Sequence, residues 1–406
     1  MSEVAKLLLG PMLIAVCCGA AVAQQTQRPA EPERAAPPYE ITRAMEAVQD
    51  QVVKGDAEAR ARLPKLVSQI ADRLLTADPA LWRDSRNARA AIIYTLSGGQ
   101  PRVVRKILET ASPPEAEATM MAGVLAYVEG RQAKAKQMLM PIDALTVAPA
   151  LGGYIAFTQS ALIAGEDPGR AARLLDEARV LAPGTLIEEA ALRRSMLLAD
   201  EMRDLDRFIA SSSQYIRRYR RSLYADNFRD RFANSAVHFG LVVAPAQREK
   251  LASLLSELES PDQLRLYLLM AQAGILKGKI EPAAFAAGQA MRLSRETGLE
   301  ADRARLYEST TKILAREQEA GLSELATIDS SRLARRDVEL KDIVAKMAVQ
   351  IQKGVPDKKD AGVAQQAGGQ AKSSGKNDES AAPSVLMESA QLALDQADAL
   401  LKRADP

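Results

Sequence analysis

The chain has 406 residues and a net charge of +2, with 54 Lys and Arg set against 52 Asp and Glu. Acids and bases are interspersed along it, which is a solvated helical surface and excludes the one-signed field of a nucleic-acid binder. Aromatics are only 4% of residues while Ala and Leu abound, which favours many helices packed through small side chains over a β-sandwich or barrel.

The first element is a leader. Lys6 precedes an apolar run from Leu7 to Val16, and small residues ending Ala21-Val22-Ala23 stand before Gln24. This order predicts a secretory signal peptide over residues 1–23, cut after Ala23. The run is too short to span a bilayer, which takes about 20 apolar residues. Two alternatives stay open: acylation at Cys17 or Cys18, and retention of the segment as an anchor. Cleavage would remove Lys6 and Glu3, leaving the charge unchanged, and would remove both cysteines, Cys17 and Cys18. A mature chain without cysteine suits an oxidising compartment and has no thiol for catalysis or metal binding. No later stretch approaches transmembrane length, so the remainder is expected to be soluble.

Residues 24–38, rich in Pro, Gln and Ala, read as a flexible leader. Over 39–351 apolar residues recur at three- and four-residue spacing, as in Leu63, Leu66, Val67, Ile70 and Leu74. Turn signals such as Lys54-Gly55-Asp56 and Ser97-Gly98-Gly99 cut this stretch into helices. The anchors Val103, Ala135, Ala171 and Leu205 stand 32, 36 and 34 residues apart, close to the roughly 34-residue period of the tetratricopeptide hairpin. Ile107, Leu139, Leu175, Ala178 and Pro183 fall in matching places, and Gly278, Ala283, Ala287 and Ala290 resemble a further unit. The predicted fold is therefore all-α, an array of helical hairpins that stack because one hairpin cannot bury its apolar face alone. Several units lack the bulky aromatic anchors of strong repeats, so ordinary antiparallel helix packing remains an alternative to a true repeat. An irregular elbow is expected over 233–250, between two halves. Residues 352–383, with almost nothing apolar, read as a disordered linker. Residues 384–402 read as a short amphipathic helix with Leu386, Ala390, Leu394, Ala397 and Leu401 on one face, free to dock on the body or on a partner.

Chemistry is sparse. His238 is the only histidine, which excludes a His-rich zinc site, an H-E-x-x-H protease and a paired-histidine switch. Among Val237, Phe239 and Leu241 it reads as a partly buried structural residue. No G-x-S-x-G elbow accompanies it. Glu188-Glu189 and similar pairs read as solvated helix faces. Gly98-Gly99-Gln100-Pro101-Arg102 reads as a hairpin turn and lacks the phosphate-loop pattern. No segment has the length or pattern of an appended peptidoglycan-cleaving domain. The expectation is a non-enzyme without cofactor or metal.

The densest charge feature is Arg217-Arg218-Tyr219-Arg220-Arg221, followed by Tyr224, Phe228, Arg229 and Arg231. One reading is a surface for an acidic partner or anionic envelope polymer, carried by Arg217, Arg218, Arg220, Arg221, Tyr224, Arg229 and Arg231. The other is helices whose Tyr and Phe face the core while arginines face water.

The stretch LRRSMLLADEMRDLDRFIASSSQYIRRYRRSLYADNFRDRF, residues 192–232, resembles the central region of the MotC family of rhizobial motility proteins. The layout is similar too: leader, helical body, low-complexity tail. The resemblance covers residues 39–350, and the 354–383 tail carries none of it. It implies a periplasmic protein that binds the periplasmic part of the stator protein MotB and supports or regulates motor torque, through a concave or lateral helical surface. It transfers no catalytic residue. The alternative keeps the fold and changes the partner, making the chain an adaptor for cell-envelope assembly.

Overall fold

The structure is a computed structural model that describes residues 36–353 apart from Glu296. The expected signal peptide, most of the leader, the linker beyond residue 353 and the 384–402 helix lie outside the described residues. The described chain is all-helical, with no strand. Its helices pair in order: α1 (Pro38–Val53) with α2 (Ala57–Leu75), α3 (Ser85–Leu96) with α4 (Pro101–Thr110), and α5 (Glu115–Val128) with α6 (Gln132–Leu139). Next come α7 (Pro149–Ile163) with α8 (Pro168–Leu181), α9 (Leu186–Glu201) with α10 (Leu205–Tyr219), and α11 (Ala225–His238) followed by α12 (Pro245–Leu255). The last are α13 (Ser260–Leu276) with α14 (Ile280–Leu293), α15 (Leu299–Leu314) with α16 (Gln318–Ala326), and a closing helix α17 (Arg335–Lys353). The expected helical body thus runs two residues past 351. No described helix is long and apolar enough to cross a membrane.

Local sequence explains the helix starts. Pro38, Pro101, Pro149, Pro168 and Pro245 sit in first turns, where the missing N–H costs nothing. Asp56, Asp84, Asp167 and Asp204 cap α2, α3, α8 and α10 by accepting a first-turn N–H. The turn between paired helices, α7–α8 apart, passes through a left-handed residue: Gly55, Gly98, Gly130, Gly240 and Gly278, but Arg203 between α9 and α10 and Arg316 between α15 and α16. The hairpin α7–α8 has none.

The anchors read from the repeat period occupy second helices. Val103, Ala135, Ala171, Ala283, Ala287 and Ala290 are fully buried, where small side chains let first and second helices approach. Leu205 and Ile209 are only half-buried. On α10 the core positions are Phe208, Ser212 and Tyr215, so the buried anchor falls at Phe208, three residues later than the spacing predicts, and is aromatic. The elbow expected over 233–250 is confined to residues 239–244, since α11 runs through 233–238 and α12 begins at Pro245. What breaks the pattern is packing: α11 lies on α9 and α13, and α12 lies on α10.

Most first helices pack on the next, α7 packing instead on α3 and α6, and the array curls until α1 touches α9 as well as α3. Two apolar cores result. One gathers side chains from α1 to α9, including Met45, Trp82, Ile92, Met121 and Ile155. The other gathers Leu192, Phe208, Tyr215, Phe228, Phe232 and the helices up to Ala348, with Val53 of α1 inserted into it. Helix α9 is shared: Ile187, Ala191 and Leu198 face the first core, and Leu192, Met196 and Ala199 the second.

An arginine ladder joins successive first helices. Arg89 bonds Glu117 at 2.9 Å, Arg193 reaches Asn227 at 3.5 Å, Arg229 approaches Asp262 at 3.8 Å, and Arg303 bonds Asp337 at 2.9 Å. Every acceptor is the third residue of its helix, where an acidic or carbonyl oxygen also complements the helix dipole.

Candidate functional site

The arginine–tyrosine segment is built around two buried carboxylates. Glu188 and Glu189 open α9, and their relative exposures are 1% and 0%, so they are not the solvated pair their spacing predicts. The reason is the position of α9 between two cores, which leaves only Glu201 of this helix fully exposed. Tyr215 and Tyr219 lie one turn apart on α10 and so reach neighbouring positions on α9. Glu188 accepts from the Tyr219 hydroxyl (2.7 Å), Arg218 Nη1 (2.6 Å), Gln214 Nε2 (3.0 Å) and the Gly184 amide (2.6 Å). Glu189 accepts from the Tyr215 hydroxyl (2.7 Å), Arg193 Nε (2.9 Å) and Ser222 Oγ (3.4 Å). Burial and then the adjacent carboxylates push both tyrosine hydroxyls well above their ordinary range, so both remain protonated donors. The Tyr215 ring stacks on Phe228 of α11 with centroids 3.9 Å apart, and Phe228 continues to Phe232 and Phe208. With every carboxylate oxygen satisfied, this network holds α9, α10 and α11 together and leaves no free acid or base for a reaction.

The seven residues proposed to face a partner divide accordingly. Arg218 is tied to Glu188, although its side chain is 42% exposed. Arg217 is exposed and bonds Glu257 at 3.3 Å. Arg229 is largely covered, bonding Asp226 at 2.5 Å and the Arg220 carbonyl at 3.3 Å. Arg231 is exposed and donates to Asn227 at 3.1 Å. Two positions apart on α11, Arg229 and Arg231 leave the helix in different directions, one towards α13 and one towards the residue that Arg193 reaches. Tyr224 is half-buried beneath the Arg193 guanidinium, 5.3 Å from its ring centroid. Arg220, half-buried, and Arg221, exposed, have no ion-pair partner among the described residues. The segment is thus mainly an internal joint whose outer rim is Arg217, Arg220 and Arg221.

His238 is exposed rather than partly buried, its side chain 41% accessible, and its Nδ1 lies 2.6 Å from Asp200 Oδ1 of α9. Asp200 also accepts from Ser235 Oγ at 2.8 Å, so the histidine is one more strut between α9 and α11. The Gly98-Gly99 turn closes on Tyr94, where a Cβ on Gly99 would come within 2.4 Å of the ring. It is a structural turn. No group of three His, Cys, Asp or Glu among the described residues could hold a metal ion.

One cavity brings titratable groups together. It is a partly open cleft of about 340 Å³ between α1 (Arg43, Glu46, Asp50), α7 (Tyr154) and the α8–α9 turn (Pro183, Thr185). Burial first, and Asp50 one turn away second, raise the Glu46 carboxyl to about 7 against the pull of Arg43. Asp50 is raised by burial too and accepts the Leu186 amide at 3.3 Å. Sequence reasoning passed over this site because Glu46 and Asp50 look like an ordinary solvated pair on α1; only the fold-back of α1 onto α9 desolvates them.

The family model for "Chemotaxis protein MotC" matches residues 2–406 of this chain. The chain belongs to the MotC family. The match reaches beyond the residues on which the resemblance was read, taking in the leader and the 354–383 tail. Among curated proteins the chain is similar to "Chemotaxis protein MotC" of Rhizobium meliloti (strain 1021), 28% identical over 313 residues, which is 77% of this chain and 71% of that protein. No solved structure matches this MotC-family chain.

Proposed function

We propose that this MotC-family chain is exported to the periplasm through residues 1–23 and binds the periplasmic part of the stator protein MotB, supporting or regulating motor torque without catalysis. The observation that carries this reading is family membership over almost the whole chain, together with the name of the curated relative. Two features of the molecule agree with a binding role. The buried carboxylates Glu188 and Glu189 are saturated by hydrogen bonds, and the outward arginines Arg217, Arg220 and Arg221 are left on a surface with a rigid base. A stack of helical hairpins offers a long surface on which moderate contacts add up.

Titration calorimetry of residues 24–406 with the purified MotB periplasmic domain tests the proposal. Saturable binding at micromolar concentration or tighter, one to one, is the expected outcome. Absence of heat with both proteins folded would refute MotB as partner.

A further inference from the structure

The α1–α2 turn sits on the α10–α11 turn, although the two are far apart in sequence. Three contacts fix the join. The Leu223 amide donates to the Val52 carbonyl at 3.4 Å, the Leu186 amide donates to Asp50, and Val53 is buried in the second core. Gly55 permits the approach: its φ is +97°, and a Cβ there would stand 2.5 Å from the Arg221 carbonyl oxygen. The join sets Gly55, next in the chain to exposed Lys54, against the backbone of exposed Arg221, with half-buried Arg220 preceding it. None of the three cations has an ion-pair partner among the described residues, while Arg217, Arg218 and Arg229 are all paired. Like charges held together on a surface leave a local field that a carboxylate would relieve.

We propose that Lys54 and Arg221, flanked by Arg220, form one composite site for an acidic segment of a partner protein, assembled only when the α1–α2 turn is docked. It rests on the same arginine segment as the proposed function but on a different set of contacts. The acids around it decide the class of partner. Asp56 caps α2 beside Lys54, Asp226 pairs with Arg229, and Glu257 pairs with Arg217. A densely charged polyanion such as polyphosphate would meet these acids, whereas a flexible acidic peptide can set one or two of its carboxylates between them and keep the rest in solvent. The planar guanidinium of Arg221 suits a carboxylate in two-point contact.

The test uses the full chain and a fluorescent octaglutamate peptide, with inorganic polyphosphate and the MotB periplasmic domain titrated in parallel. Octaglutamate is expected to bind saturably at low salt. Lys54→Glu and Arg221→Glu are each expected to weaken it about fivefold. Gly55→Val removes no charge but cannot hold the docked turn, and is expected to weaken binding by a similar factor with helical content retained. If Gly55→Val fails to fold, Lys54→Glu alone carries the test. Binding lost in Arg221→Glu but unchanged in Lys54→Glu would overturn the composite site, as would no octaglutamate binding or tighter binding of polyphosphate at equal charge. If octaglutamate behaves as expected and MotB does not bind, the composite site stands and the MotB reading falls. If MotB binds and is indifferent to Lys54→Glu, the MotB reading stands and MotB does not use the composite site; if octaglutamate is then also indifferent to Lys54→Glu, the composite site falls.

Discussion

The two cores of this chain use different means to the same end. The first, from α1 to α8, is mostly aliphatic and is closed by small residues: Gly123 lies against Leu139, and Gly153 against Ala182. The second carries a run of stacked aromatics, Phe208, Phe232, Phe228 and Tyr215, and a set of buried acids, Glu188, Glu189, Asp302 and Asp337, held by tyrosines and arginines. The first core has fewer buried polar groups, Glu117 and Gln159 among them, so apolar spacing describes most of it. The second adds directional hydrogen bonds and ion pairs around its acids, because an unpaired buried carboxylate is costly. A periodic apolar pattern cannot reveal which helix such an acid belongs to, and that is why the arginine–tyrosine segment reads as a surface feature when it is largely a joint.

The sharpest way to break the comparison is to remove one acid from each half. Glu189→Ala strips the partner from Arg193 and Tyr215 in a fully buried site and should cost about 3–5 kcal/mol in urea unfolding. Glu117→Ala removes a first-half acid whose partner Arg89 is already 37% exposed and can rehydrate, so about 1–2 kcal/mol is expected. Equal losses would mean that the second core does not depend on its polar network.

The junction supplies the next effect. Glu46 keeps its proton up to about 7 in the folded chain, against an ordinary value of 4.5. Between those values the folded state binds more protons than the unfolded state, so stability falls as pH rises through the window and is level above it. After allowance for partial exposure, the change should be about 1–2 kcal/mol. Glu46→Gln should flatten that part of the pH profile, measured by urea midpoints from pH 4 to 8; an unchanged profile would place the titration elsewhere.

The smallest effect concerns hairpin turns. Arg203 (φ 58°) and Arg316 (φ 74°) hold left-handed conformations that glycine supplies in the other hairpins with such a turn. Arg203→Gly and Arg316→Gly should each stabilise by about 0.5–1 kcal/mol. A loss instead would mean that the arginine side chains contribute contacts that offset the backbone strain.

Much of the fold is legible in the sequence, and the reason is regularity. Gly98, Gly130 and Gly278 mark turns, and Val103, Ala135, Ala171 and Ala283 mark buried second-helix positions, all from local spacing alone. Tyr219 and Phe228 face the core and Tyr224 is half-buried, close to one of the two readings of their segment. Three features are harder to read, and only the last has no signal at all. Glu188 and Glu189 are buried because α9 is covered on both sides, yet the helix shows this in its sequence: Ile187, Ala191, Leu192, Met196 and Leu198 surround it. The arginine ladder has a faint signal, an acid or amide at the third position of one first helix some 28–34 residues after an arginine in the preceding one. The docking of α1 on α9 and of Gly55 on Arg221 has none, because it depends on how far successive hairpins rotate.

That docking makes the whole array one body, and a single measurement tests it. Trp82 is the only tryptophan and lies buried in the first core, so its fluorescence reports that half alone, while far-UV circular dichroism reports all helices. Shared α9 and the insertion of Val53 predict that both signals change at one urea concentration, and that Glu189→Ala lowers the Trp82 midpoint from across the junction. Separate midpoints, or a Trp82 transition indifferent to Glu189→Ala, would show two halves that unfold independently and would contradict the account.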